Sequence, residues 1–392
     1  MTRKRNDKGT WSAKSRTPAS APVRQNMPTL SSIQNAQAGA EPLYRPVQFH
    51  AAWIVTFLIA LVSYWLTLAP GLTGGDSGEL ISAAWLLGIP HPPGYPLWTM
   101  IAHGFAKLPW GSPAYNINFM SAFFGAATAA LVAVITFSLV RNVAVAICAG
   151  LCLAFSDMFW SQSIMAKGLY TLNTSIVMLI VWLLILWQRN RKPSFLLFCS
   201  LLYGFACANH PTSWPLGLFF AGFVLFVDRK ALFGKVWLLP ACIGLYLLGL
   251  SVYLYLPIRA HANTYMNWGN PATFQDMLFH ILRKQYPSGT AENPRSLGLF
   301  IRQTGRLAEF MLHQFTPALL GLVAVGLIAH MKRRNWGQFL LFGALFGATS
   351  VGFVVSTNFK IEFQEVLVNS VFFVSAMPFA AVWLGLGVYE LI

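Results

Sequence analysis

The sequence predicts an all-α polytopic integral membrane protein with about ten transmembrane helices. Three observations lead there. Of its 392 residues, 56% are hydrophobic and only 10% charged, where a soluble domain carries roughly 25% charged residues. Apolar runs of helical length recur along the chain. Basic residues gather in short clusters between those runs, which is how a membrane protein sets its orientation. This composition excludes an ordinary cytosolic enzyme, a disordered chain and a coiled coil. The formal charge of +15, from 27 Lys+Arg against 12 Asp+Glu, would also suit nucleic acid. Its distribution argues for a membrane and against a nucleic-acid partner.

Residues 1–45 hold eight basic residues among Ser, Pro, Ala and Gln, with no apolar period. They read as a disordered cytosolic tail, too long and too polar for the start of a signal peptide. Residues 46–392 form the transmembrane domain. Its apolar runs are 50–69, 116–140, 143–156, 170–188, 194–208, 213–227, 236–256, 316–331, 337–356 and 366–391. Several fall short of the ~20 residues that a straight span needs. The last run continues to Ile392, so the chain reads as a fragment or as a short member of something longer. Cys148, Cys152, Cys199, Cys207 and Cys242 lie in or at the ends of these runs without a CxxC. They read as small buried hydrophobes rather than zinc or redox ligands.

The stretch 70–115 holds two apolar pieces, 77–88 and 96–108, separated by His91-Pro92-Pro93-Gly94-Tyr95-Pro96. Each reaches only ~18–20 Å, against a hydrocarbon core of ~30 Å. Both are therefore expected to lie in the interface or to re-enter. Charge parity decides how the chain threads. If 70–115 stays on one side, the short inner loops hold ten basic residues: Arg141, Arg189, Arg191, Lys192, Arg229, Lys230, Lys235, Lys332, Arg333 and Arg334. The short outer loops beyond residue 116 then hold two, Lys167 and Lys360. One more crossing would reverse that ratio, so the positive-inside rule selects the non-crossing reading. Two long outer loops result, 70–115 and 257–315, and their apolar pieces and aromatics mark them as functional.

The carboxylates sort to the same side. Asp76, Glu79, Asp157, Asp276, Glu292, Glu309, Glu362 and Glu365 map outside or near the outer surface, while Asp228 is inside and Asp7 and Glu41 are in the tail. Spans nearly free of carboxylates weaken an ion-coupled transporter. The sharpest cluster is Gly74-Gly75-Asp76-Ser77-Gly78-Glu79. On a helix starting there, Asp76 and Glu79 share one face. They would supply a general base with an acidic neighbour, or part of a divalent-cation site. The same spacing also makes a capping box in its Asp form, a purely structural use. The likeness of Gly-Asp-Ser-Gly to serine-protease nucleophile segments carries nothing, since this composition cannot build their soluble β-barrel.

In the second cluster the prolines end the preceding helix. His91 and Tyr95 offer hydrogen-bonding groups to a polar ligand, or else belong to a rigid interfacial turn. The third cluster runs from Arg259 through Trp268-Gly269-Asn270-Pro271 to His280, Arg283, Lys284, Gln285 and Tyr286. Arg283 and Lys284 run against the positive-inside bias, and suit either a bound phosphate or anionic headgroups. Asn209-His210-Pro211 lies at another outer turn, and Asp157, Lys167 and Tyr170 at a further one. Each alone fits a turn or cap. Their shared side is the informative point.

Together these residues resemble the GT-C superfamily of membrane glycosyltransferases, whose members carry an acidic motif in the first extracytoplasmic loop and juxtamembrane helices before the second span. The closer resemblance is to a family of bacterial membrane proteins that includes an animal transmembrane protein O-mannosyltransferase. Its Gly-Asp-Ser-Gly-Glu-Leu, His-Pro-Pro-Gly-Tyr-Pro-Leu and Gly-Ser-Pro-Ala-Tyr stand here at 75–80, 91–97 and 111–115. Tyr170-Thr171-Leu172-Asn173 is similar to its Tyr-x-Leu-Asn. The resemblance covers residues 50–290 well and the rest loosely. In one departure, Lys167-Gly168 stands where many relatives have an acidic residue.

The resemblance implies a GT-C-like fold with the active site on the extracytoplasmic side of a bacterial inner membrane and the N-terminus in the cytosol. It implies a polyprenyl-phosphate hexose donor, mannose by preference, and an acceptor hydroxyl on a glycan or on an exported protein, such as its Ser or Thr, with membrane lipid around the chain. Asp76 would be the general base of a direct, inverting displacement, and Glu79 would orient the acceptor or tune Asp76. His91, Tyr95, Tyr170, Asn209 and His210 would shape the substrate cleft. Arg259, Arg283 and Lys284 would meet the donor phosphate. A divalent cation at the acidic pair stays open as a cofactor. The competing readings are a transporter or flippase for lipid-linked sugars, which leaves the outer acidic motif without a use, and a non-catalytic scaffold.

Overall fold

The computed structural model describes residues 46–392 except 168 and 287–292. The expected tail, with Asp7 and Glu41, lies outside the described residues, as do Gly168 and Glu292. Among the described residues the chain is helical with no strand, and one isolated parallel bridge joins Ile89 to Asn267.

The first span is α1 (Pro46–Leu66). The two short apolar pieces become α2 (Ser77–Leu86) and α3 (Pro96–Ala106). Leu87, in the left-handed region at φ 50°, ends α2, and Pro96 occupies the first position of α3. Next comes α4 (Pro113–Val140), started by Pro113 and by the Ser112 hydroxyl, which accepts from the Tyr115 N–H at 3.2 Å. It is followed by α5 (Val143–Ala154) and α6 (Asp157–Ser163), which meet at a 73° bend. The chain continues through α7 (Leu169–Asn190), α8 (Pro193–Asn209), α9 (Leu216–Asp228) and α10 (Leu238–Leu250).

The second long loop contains α11 (Tyr255–His261) and α12 (Phe274–Ile281). Then α13 (Leu297–Lys332) is broken at Thr316, just before Pro317, so its first half belongs to the loop and its second half to the bundle. The chain closes with α14 (Trp336–Thr349), α15 (Val351–Thr357), α16 (Phe363–Ser370) and α17 (Met377–Leu391).

Seven helical stretches among the described residues are long and apolar enough to cross a membrane. Two bent pairs, α5 with α6 and the stretch Phe363–Ser375 with α17, raise that to nine, and α8 is a further apolar helix of 17 residues. Every apolar run read from the sequence is thus a helix or a bent helix pair. Helices α2 and α3 are both too short to cross, as their lengths predict.

Helices in a bilayer gain little from the hydrophobic effect against one another, so small residues that let backbones approach decide which pairs pack. Helices α13 and α17 cross where Gly326 lies against the Trp383 carbonyl and Gly387 against the Leu322 carbonyl. Helices α8 and α10 do the same at Gly204 and Gly249. A side chain at any of these positions would meet backbone, which cannot move aside. Replacing Gly387 by Val is expected to destabilise the bundle by about 1–3 kcal/mol, the usual cost of overpacking. Gly343→Ala, where nothing stands within 4 Å of the added carbon, should not. Thermal unfolding of the two variants in detergent checks this, and equal midpoints would remove the close-crossing argument.

Candidate active site

The acidic loop is tied down before it reaches the first carboxylate. The Asn118 side-chain amide donates to the carbonyls of Ala69 and Gly71, at 2.8 and 2.9 Å. The Thr73 N–H donates to the Ser77 hydroxyl at 3.2 Å. Asp76 then stands at the N-cap of α2.

The capping-box reading fails here on both of its bonds. Asp76 makes no side-chain cap hydrogen bond. Glu79 reaches forward instead of back: its carboxylate accepts from the His91 N–H at 2.6 Å and faces His91 Nδ1 at 3.0 Å. On its other side, Nε2 of His91 stands 3.1 Å from the Tyr95 hydroxyl, within hydrogen-bond distance. Carboxylate, imidazole and phenol form one line. Asp76 is exposed, and Glu79 and His91 are half-buried; one donor atom from each lies within 4.8 Å of the others. Two carboxylates and an imidazole are a donor set that a divalent cation accepts. Lys167 is the neighbour from the other side, its Nζ 2.9 Å from where a Cβ on Gly75 would stand.

Burial pushes the Glu79 carboxyl up, but the side-chain bond, backbone bond and charge of His91 together outweigh it and hold the group below its ordinary range. Burial raises the Tyr95 phenol, with the Tyr170 and Asp76 charges adding to it, so Tyr95 stays protonated as a donor.

Behind Tyr95 lies an aromatic floor. His210 stacks on the Tyr95 ring at 5.8 Å and 11°, and meets Tyr170 and Phe372 with ring centroids 5.7 Å away in each case. Burial, then the charges of Arg283 and His91, press the His210 pKa down to about 3, so the floor is neutral. Asn209 takes no place in this surface. It is fully buried and its amide donates to the Leu169 carbonyl at 2.9 Å, locking α8 to the start of α7.

The second long loop is seated on the first. The Ile89 N–H donates to the Met266 carbonyl at 2.7 Å and the Trp268 N–H to the Ile89 carbonyl at 3.1 Å. The Tyr255 hydroxyl donates to the Gly88 carbonyl at 2.8 Å. Arg259 is engaged with the first loop: its Nε donates to the Leu87 carbonyl at 2.7 Å, at the C-terminal end of α2. His280, 2% exposed, is wedged between Gly94 and Gly269, both with positive φ. A Cβ at either glycine would stand 3.1–3.3 Å from a ring nitrogen of His280.

Arg283 and Lys284 do come together, beside a cavity of about 750 Å³ that is also lined by His210, Tyr286, Lys360 and Glu365. The Arg283 guanidinium stands 5.0 Å over the Tyr286 ring. An apolar crevice of about 410 Å³ shares Pro211, Thr212, Phe353, Ser356 and Phe372 with this cavity, and continues past Phe219 and Ala348. A second apolar crevice, about 530 Å³ between α10 and α12, shares Leu282 with it.

Of the residues expected at the site, Asp76, Glu79, His91, Tyr95, Tyr170, His210, Arg283 and Lys284 gather at one end of the bundle. Asn209 and Arg259 are structural supports of it. The cavity wall from α15 and α16, including Lys360, Glu365 and Phe372, was not legible as site. It lies in or next to runs that read as plain spans, and only the pairing of Lys360 with Glu362 and Glu365 across a short outer turn hinted at it.

Residues 76–232, beginning at the first carboxylate of the site, match the family model described as Protein O-mannosyl-transferase TMEM260 N-terminal domain. The mouse protein named Protein O-mannosyl-transferase TMEM260 is 32% identical over 239 residues, which are 59% of this chain and 34% of the mouse protein. The Dictyostelium discoideum protein named Protein O-mannosyl-transferase tmem260 is 27% identical over 327 residues, 76% of this chain and 40% of its own length. The chain thus spans about a third to two fifths of the curated relatives it matches. Over these stretches the chain is similar to proteins named O-mannosyl-transferase, the resemblance its motifs carry.

The packing of His280 has a pH consequence. Burial lowers its pKa from the ordinary 6.5 to about 4, with the His91 charge adding to this and the Pro90 carbonyl opposing it. The unfolded chain binds this proton more readily than the folded one. The stability that neutral His280 contributes is therefore complete above about 6.5 and is lost as pH falls through about 4. His280→Gln should flatten part of that slope in thermal midpoints measured from pH 7 to pH 4. An unchanged slope would show that His280 does not hold the loops together as a neutral ring.

Proposed function

We propose that this protein transfers a hexose, mannose by likeness to the named relatives, from a polyprenyl-phosphate sugar to a hydroxyl of an acceptor protein, on the extracytoplasmic face of a membrane. One observation carries the reading. A carboxylate with no capping duty shares one end of the bundle with a basic cavity that runs into an apolar crevice, and Tyr95 stacked on His210 links the two. A lipid-linked phosphate has that combination of a polar head and an apolar chain.

Asp76 is the general base. It takes the acceptor proton as the hydroxyl oxygen attacks the anomeric carbon, while the bond from that carbon to the phosphate oxygen breaks and the carrier phosphate leaves. Arg283 and Lys284 stabilise the charge that develops on the leaving phosphate. Glu79 is engaged with His91 and acts as a positioning residue, holding the imidazole so that Tyr95 is fixed at the cleft. The lipid chain in the crevice holds the donor in place and contributes proximity. The three-donor face of Asp76, Glu79 and His91 would also hold a divalent cation, which would lower the proton affinity of a hydroxyl bound there.

Purified protein incubated with labelled polyprenyl-phosphate mannose and an extract of secretory proteins tests the reading. Asp76→Asn is expected to lower transfer by about 10²–10⁴-fold. Glu79→Gln should lower it by about 10–100-fold, the worth of one charge-assisted hydrogen bond. Full activity in Asp76→Asn would sink the base assignment. Movement of the intact donor across a vesicle membrane without any glycosylated product would favour the transporter.

A further inference from the structure

The opposite end of the bundle carries a second charged cavity. Helix α7 runs to it from Tyr170 at the candidate site. The cavity measures about 250 Å³, and its lining includes Trp187, Arg191, Asp228, Lys230, Lys235 and Leu238.

Its charges are unequal. Arg191 has φ 54°, which turns its guanidinium back over the Trp187 ring, 5.1 Å from the centroid. The same guanidinium stands 3.6 Å from the Asp228 carboxylate. Asp228 also accepts from the Lys230 N–H at 3.0 Å. The cavity's one carboxylate is therefore already matched. The ammonium groups of Lys230 and Lys235 make no hydrogen bond or ion pair among the described residues. They leave the cavity with two uncompensated positive charges.

The rim says what kind of anion belongs there. Phe233, Val236 and Trp237 are 65%, 90% and 53% exposed on the α9–α10 connection. Leu225 and Phe226 are exposed on the last turns of α9. A soluble anion has no use for that apolar skirt, whereas a phospholipid lies with its phosphate in such a cavity and its acyl chains against such a skirt.

We infer that this cavity binds the phosphodiester of an anionic phospholipid, with Lys230 and Lys235 as its charge partners and the acyl chains along the exposed surface of α9 and its following turn. The site is separate from the transfer chemistry and does not rest on it.

The test uses the whole chain purified in detergent. Phosphatidylglycerol and phosphatidylcholine of the same acyl chains are titrated, with bound lipid read by native mass spectrometry and protection by thermal midpoint. Phosphatidylglycerol should bind on the order of tenfold more tightly. Lys230→Gln with Lys235→Gln should abolish the difference, and Lys230→Arg with Lys235→Arg should keep it. Lys332→Gln with Arg334→Gln removes the same charge from the same end of the bundle and should leave it unchanged. Equal losses in the two Gln pairs would mean diffuse surface attraction and overturn the site. Protection by inorganic phosphate equal to that by phosphatidylglycerol would overturn the lipid assignment.

Discussion

The site depends on how the second long loop is seated on the first. Helix α2 has ten residues, too few to hold its shape alone. The carbonyls at and just beyond its C-terminal end would be left unpaired, and where the chain is buried, as at Gly88 and Ile89, each lost hydrogen bond is costly. Arg259 takes the Leu87 carbonyl, Tyr255 takes that of Gly88, and Ile89 joins the backbone of Met266 and Trp268. These bonds lie ~15 Å along α2 from its N-terminus. By fixing one end of the helix they fix where Asp76 and Glu79 point at the other. His280, clamped between two glycines, completes the joint and leaves no room for either loop to shift alone.

Two carboxylates one helical turn apart then meet different fates. Burial alone would favour a protonated Glu79, but His91 supplies two hydrogen bonds and a neighbouring charge, and the balance keeps Glu79 ionised. An ionised Glu79 bonded through both oxygens is a poor base, because proton uptake would break its own contacts. Asp76 is exposed and bears no capping bond, so of the two it is the carboxylate free for the proposed reaction. The difference follows from the direction in which Glu79 reaches, towards His91 rather than back to the turn.

The membrane fold was legible because apolar runs and charge parity are one-dimensional signals. Even the non-crossing pair α2 and α3 could be read from their lengths and from the prolines between them. The acidic pair and the His91–Tyr95 segment were legible for the same reason, being contiguous in the chain. What could not be read is set by contacts distant in sequence. The bond from Arg259 to the Leu87 carbonyl, 172 positions away, leaves no trace in the sequence around either residue. Asn209 looks polar and available until it is found fully buried against α7. Spacing cannot distinguish a capping box from a catalytic pair, since the choice rests on which way a Glu79 rotamer turns.

The apolar crevices bear on where catalytic power can come from. In the proposed transfer, a lipid chain lying along Phe219, Ala348 and Phe353 would make the same contacts before, during and after the sugar moves. Such binding is uniform: it lowers the concentration of donor needed and leaves the chemical step alone. Tight closure around the chain would even slow turnover, because the spent carrier must leave by the same crevice. On that reading, rate acceleration would reside in groups whose contacts change as the bond to phosphate breaks. Arg283 fits that requirement better than a fully paired cation would. It rests on the face of Tyr286, a weak contact from which it can move towards negative charge as that charge appears, and Lys284 stands next to it on the same cavity wall.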